Sequence, residues 1–113
     1  MHVDELAVAL RQRDALRARV LYAELAEQDV ATIEPPTIDD PLHHAIAASI
    51  VEMMAARAKV TPPAWTSTVS PLAEPYVLVT VRSSAKLDRL RQESPPELRA
   101  RNLVAPENFL TSV

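Results

Sequence analysis

"DELAVALRQRDALRARVLYAELAEQ", residues 4–28, decides how the rest of the chain is read. Leu6, Leu10, Leu21 and Leu25, with Val3 just ahead of them, fall near one side at helical spacing, and Leu16 and Val20 broaden that side. Asp4 and Glu5 stand where the positive end of a helix dipole favours acids. The spacing predicts one long amphipathic helix over residues 4–28, spanning about 36 Å. A rod of that length exceeds what so small a body covers, so part of its apolar side is expected to meet a partner chain.

Beyond the rod, "TIEPPTIDD" (residues 32–40) is a connector, because two adjacent prolines force extended backbone. Asp40 is placed to cap a second helix that starts at Pro41 and runs to about Lys59. Leu42, Ile46, Ile50 and Met53 mark its main stripe. Alanines and Val51 cover most of the rest, and a helix apolar nearly all round is central. Residues 60–83 form a proline-rich crossing that cannot be helix or inner strand over its proline-bearing part. Trp65 is expected to anchor it to the helical core. "YVLVTV" (76–81) reads as a short strand and "NLV" (102–104) as extended. Ser84 is a candidate cap for a third helix over 85–92. Ser94, with Pro95, Pro96 and Glu97 behind it, starts a further turn in the manner of a capping box. A last turn opens at Ala105 or Pro106 and runs through Phe109 and Leu110. The fold class expected is mainly α, as a single domain over 1–113. Two principal helices and short C-terminal helices are joined by Pro-rich connectors, with room for one small two-stranded β element.

Composition agrees with that class. The chain has 113 residues, 48% apolar and 24% charged, which suits one globular domain and argues against general disorder. Glycine is absent and there are ten prolines. Gly-rich phosphate loops and the Gly-x-Ser-x-Gly nucleophile elbow are thereby excluded, and helices lose their usual left-handed caps. Cysteine is absent as well, so disulfides and thiolate chemistry are excluded, which is compatible with a reducing cytoplasm. The first residues carry acids and arginines where a signal peptide needs an apolar run. No window of about 18 uncharged apolar residues exists, so no membrane span is expected.

The net charge is −3, unevenly placed. Arg11, Arg13, Arg17 and Arg19 make the rod basic, residues 24–40 are acidic, and residues 82–101 are basic again. Such a pattern is more often paired internally or solvated than a nucleic-acid footprint.

Several residues are candidates for chemistry. His43 and His44 follow Asp39 and Asp40, but adjacent helical residues diverge by about 100°, so a shared metal ion is disfavoured. A packed His43 and a near-surface His44 are expected instead. Asp14 and Arg17, three apart, can pair and set the register of a helix contact, with Glu24 two turns beyond Arg17. The serines and threonines of 66–70 and 82–86 suit turns and caps better than nucleophilic roles. Arg99 and Arg101 point to different sides of a short helix. Each offers a planar fork to a partner's carboxylate or phosphate, against an internal clasp to the acidic middle of the chain, which is favoured for at least one of them. No base–nucleophile constellation is present, so an enzyme is not expected, and no cofactor or metal is assigned.

From Asp40 onward the chain resembles the C-terminal region of certain bacterial regulators that begin with a helix-turn-helix. The likeness rests on Pro63-Ala64-Trp65, Ser94-Pro95, Leu98-Arg99-Ala100-Arg101 and Asn108-Phe109-Leu110, and covers roughly the last two thirds of the chain. Such regulators look like antitoxin components beside a nucleotidyltransferase-like or related toxin. Glu74-Pro75-Tyr76-Val77 stands where the family tends to an aromatic cluster. No glycine turn or short recognition helix is read in residues 4–28, so the resemblance implies the partner-binding half and not direct DNA binding.

The function expected is a small cytoplasmic helical protein-interaction module, antitoxin-like, acting as a homodimer or on another protein. Leu6, Leu10, Leu21 and Leu25 would supply the buried area, with Arg13, Arg17, Arg99 and Arg101 the polar contacts. The alternative is a nucleic-acid-binding regulator using Arg11, Arg13, Arg17 and Arg19.

Overall fold

A computed structural model describes residues 3–110. Its helices, in chain order, are α1 (Val3–Arg11), α2 (Ala15–Ala26), α3 (Pro41–Ala58), α4 (Ser84–Glu93) and α5 (Pro96–Arg99). Short 3₁₀ segments at Val30–Thr32 and Ala64–Thr68 lie between them, and the two-residue strands β1 (Tyr76–Val77) and β2 (Leu103–Val104) pair in parallel. The chain is thus mainly helical with one small two-stranded element. It fills a body of 39 × 31 × 25 Å.

α3 is the centre. Its sequence is apolar on nearly every side, and Ile46, Ile50, Val51, Met53 and Met54 are all buried. α1 packs on it from the N-terminal half of the chain and α5 from the C-terminal half, with both 3₁₀ segments against it as well. Asp40 caps it, accepting from the Leu42 amide at 3.0 Å, and Pro41 follows in the first turn. The helix stops at Lys59, which takes the left-handed conformation at φ 58°. The Lys59 amide donates to Ala56 O at 3.2 Å and the Val60 amide to Ala55 O at 2.9 Å. These two bonds form a Schellman closure with lysine in the place that glycine usually takes.

The single helix expected over residues 4–28 is not formed. α1 closes in the same way at Arg13, φ 55°. The Arg13 amide donates to Leu10 O at 3.1 Å and the Asp14 amide to Ala9 O at 3.0 Å. The Asp14 carboxylate then accepts from the Arg17 amide at 3.2 Å and caps α2. A residue with a Cβ pays about 1–2 kcal/mol to enter the left-handed region. The Arg13 side chain offsets part of that cost, donating from Nη2 to Val77 O at 3.2 Å with its guanidinium 5.9 Å from the Tyr76 ring centroid. The rod is therefore folded in two, with α1 against both α2 and α3.

Connections in the C-terminal half follow from their capping chemistry. Ser83, one residue earlier than expected, caps α4 through the Lys86 amide at 3.2 Å. Ser94 does not cap the next turn. Pro95 stands at that position, and Ser94 Oγ donates to Leu90 O at 2.6 Å while accepting from the Ala105 amide at 3.1 Å, tying the end of α4 to the strand that follows. β1 is shorter than the 76–81 stretch, because the chain bends after Val77. Its pairing is completed by Tyr76 N to Asn102 O at 2.8 Å and Leu78 N to Val104 O at 2.9 Å. Trp65 packs against the core and donates from Nε1 to Ile33 O at 2.7 Å, fastening the crossing to the first connector. A turn closes at Phe109, whose amide donates to Pro106 O at 3.1 Å.

Candidate functional site

The leucines assigned to a partner contact are core residues of this chain. Leu6, Leu10, Leu21 and Leu25 are buried in one cluster with Val3, Ile46, Ile50 and Met53. The break at Arg13 explains the difference. In one continuous helix those leucines share a side that no small body covers. In two helices folded on each other, α1 and α2 turn them toward the same interior.

The break also resets which face of the second half points out. From Leu16, at 100° per residue, Val20 and Ala23 lie within about 40° of one line, while Ala18, Leu21 and Leu25 lie on the opposite side. The latter three are buried; Leu16 is 75% exposed and Val20 51%. Leu16 and Val20, which continuous helical spacing groups with the buried leucines, form the outer stripe of α2. A signal was available: Asp14, a weak helix former and a favoured N-cap, interrupts a run of alanine, leucine and arginine.

Four charges flank that stripe. Arg17 and Glu24, two turns apart, sit on one flank of α2; Arg19 sits on the other, and Glu27 extends the stripe itself. All four are exposed, and none forms an ion pair among the described residues. Beside the N-terminal end of α2 lies a pocket of 260 Å³, floored by Leu10, Leu78, Phe109 and Leu110 and edged by Arg13 and Arg19. The pocket shares Arg19 with one flank of the stripe.

Arg11, Arg99 and Arg101 divide by partner. Arg11 pairs with Asp40 at 2.9 Å. The backbone bond from Leu42 to the Asp40 carboxylate, reinforced by Arg11, holds its pKa below the usual carboxylate value. Arg99 is exposed and donates to Gln92 O at 3.0 Å. Arg101 is buried and is not available to a partner. It pairs with Glu52 of α3 through its two terminal nitrogens, Nη1 and Nη2, and Nη2 also donates to Thr66 O at 2.6 Å and Nε to Val69 O at 3.2 Å. Asp14 and Arg17 do not pair through their side chains; the carboxylate is spent on the cap.

His43 is fully buried, with Nε2 2.6 Å from Asp4 Oδ1. The Asp4 carboxylate also accepts from Thr37 through its amide at 3.1 Å and its hydroxyl at 2.6 Å. One acid thus fastens α1, the first connector and α3. His44 is half-buried and faces away on the same helix. Among the described residues no group of three or more His, Cys, Asp or Glu side chains lies close enough together to hold a metal ion, and no helix is long and apolar enough to cross a membrane.

No protein-family model, no curated protein and no solved structure matches the chain.

Proposed function

We propose that this protein is a helical protein-interaction module that docks through the outer face of α2. Its place is that of an antitoxin-like or accessory regulator in the bacterial cytoplasm, acting on a second copy of itself or on another protein. The observation that carries the reading is the adjacent pair of exposed aliphatic side chains, Leu16 and Val20, on a helix whose Ala18, Leu21 and Leu25 are already buried in the core. Covering them removes apolar surface from water at about 25 cal/mol per Å². The flanking charges give such a contact its orientation. The C-terminal likeness to antitoxin regulators supports a protein partner encoded beside this gene.

A second reading, nucleic-acid binding, draws on the two-helix unit itself, whose second helix is the exposed one and carries Arg17 and Arg19. Glu24 and Glu27 on that same helix, and two aliphatic residues where phosphate contacts would need cations, weigh against it. Co-expression with the product of the adjacent gene, followed by affinity capture, separates the two. Wild type is expected to retain that protein, and the double variant Leu16→Glu/Val20→Glu to lose it with an unchanged far-UV spectrum. Retention on DNA that falls steeply with salt, undiminished in the double variant, would instead establish the second reading.

A further inference from the structure

We infer that the outer face of α2 is occupied by α2 of a second copy of this chain, in an antiparallel two-fold arrangement. The inference rests on the docking role proposed for that face and names its occupant. Charges along α2 are segregated: Arg17 and Arg19 lie in the first half, Glu24 and Glu27 at the far end. A parallel pair would set arginine beside arginine and glutamate beside glutamate. An antiparallel pair with its two-fold axis between Val20 and Leu21 does the opposite. The symmetry keeps each flank on its own side of the interface and exchanges the two ends, so Arg17 stands level with Glu24 of the partner subunit, on the same flank, and the pairing occurs twice.

The apolar stripe fits the same axis. Val20 comes against Val20 of the partner subunit, and Leu16 comes within about two residues of the level of Ala23 of the partner subunit, or about 3 Å. A large side chain then faces a small one, as close helix packing requires. All of these groups are exposed in the single chain, and Arg17 and Glu24 have no ion-pair partner within it among the described residues. α2 has 12 residues, about 18 Å of helix. One such pair covers less than the about 800 Å² per partner of a standard stable interface. The dimer is therefore weak and concentration-dependent, with a dissociation constant on the order of micromolar or above.

Sedimentation equilibrium of the full chain, from low micromolar to near-millimolar concentration, tests this. Wild type is expected to move from monomer to dimer across that range. Arg17→Glu and Glu24→Arg are each expected to weaken the dimer about tenfold, because two symmetric attractions become two repulsions. Combined in one chain they recreate both pairs with reversed sign and restore dimerisation to near wild type. Leu16→Glu/Val20→Glu remains a folded monomer throughout. A wild type monomeric at every concentration, or a dimer that the charge-exchanged chain does not recover, overturns the inference. If that monomer still captures the neighbour-encoded protein, and Leu16→Glu/Val20→Glu abolishes the capture, the docking face stands and only the second copy is refuted. If the double variant changes neither behaviour, both fall.

Discussion

Asp14 works twice: its amide closes α1 onto Ala9 O, and its carboxylate opens α2 on the Arg17 amide. The same economy recurs at Asp40, whose carboxylate caps α3 and meets Arg11 at the end of α1. Both contacts favour the charged carboxylate, so its pKa is lower in the folded chain than in the unfolded one. A group shifted in that direction adds stability above its unfolded pKa and withdraws it as pH falls through the folded value. Stability toward urea is thus expected to be level above the ordinary carboxylate range and to decline as pH drops below it. Asp40→Asn retains a capping side chain but no charge. Its loss on acidification is expected to be smaller than that of wild type between neutral pH and pH about 3. Equal slopes for the two proteins would show that Asp40 is not among the groups responsible.

At the scale of the helix, what could be read in advance was the hydrophobic period, and what could not was its phase. Residues 41–59 were legible because Asp40-Pro41 starts the helix chemically and the apolar positions surround it. Residues 4–28 were not. The leucines of α1 and α2 keep a near-helical spacing across a break that costs only one residue in the left-handed region. Without glycine nothing marks Arg13 itself as a turn, Asp14 beside it is the local hint, and a glycine-free sequence argues against left-handed caps. Arg13, Lys59 and Asn102 fill that role, each at a helix end where backbone hydrogen bonds outweigh the Cβ clash. The buried half of the candidate arginine pair had a similar fate. Nothing local distinguishes Arg101 from Arg99; only the approach of Glu52 in the folded chain does. The left-handed caps carry a direct consequence. Lys59 is exposed and its side chain has no hydrogen bond or ion pair among the described residues. Lys59→Gly relieves the Cβ clash and gives back part of that gain as unfolded-chain entropy. A net stabilisation of about 0.5 kcal/mol is expected in urea denaturation. Lys59→Ala keeps the Cβ and is expected to show none.

Across the whole molecule, α3 joins two groups of elements, which also touch directly through Arg13 and Val77 and through Trp65 and Ile33. α1 reaches it through the core leucines and the Asp4–His43 bond. The crossing, α5 and the paired strands reach it through Leu98 and the Glu52–Arg101 pair. Arg101 is the tie that spans the most: Glu52 on α3, Thr66 and Val69 in the crossing, and, through its own carbonyl, the Leu72 amide at 3.2 Å. Truncating one member of a largely buried ion pair leaves the other charge without compensation, at a cost of about 3–5 kcal/mol. Here it also takes the side-chain donor from Val69 O and one of two donors from Thr66 O, which keeps the Val69 amide. Arg101→Ala is therefore expected to lower stability by about 3 kcal/mol or more, whereas Arg99→Ala, which loses one exposed bond, stays within about 0.5 kcal/mol. Two probes report on the outcome, since Trp65 sits in the crossing and far-UV ellipticity is dominated by α1, α2 and α3. If the tie binds both groups into one cooperative unit, the midpoints of the two probes coincide in wild type and move together in Arg101→Ala. A tryptophan signal that melts ahead of the helices in the variant would mean that Arg101 holds only the crossing, and that α3 with the N-terminal pair stands without it.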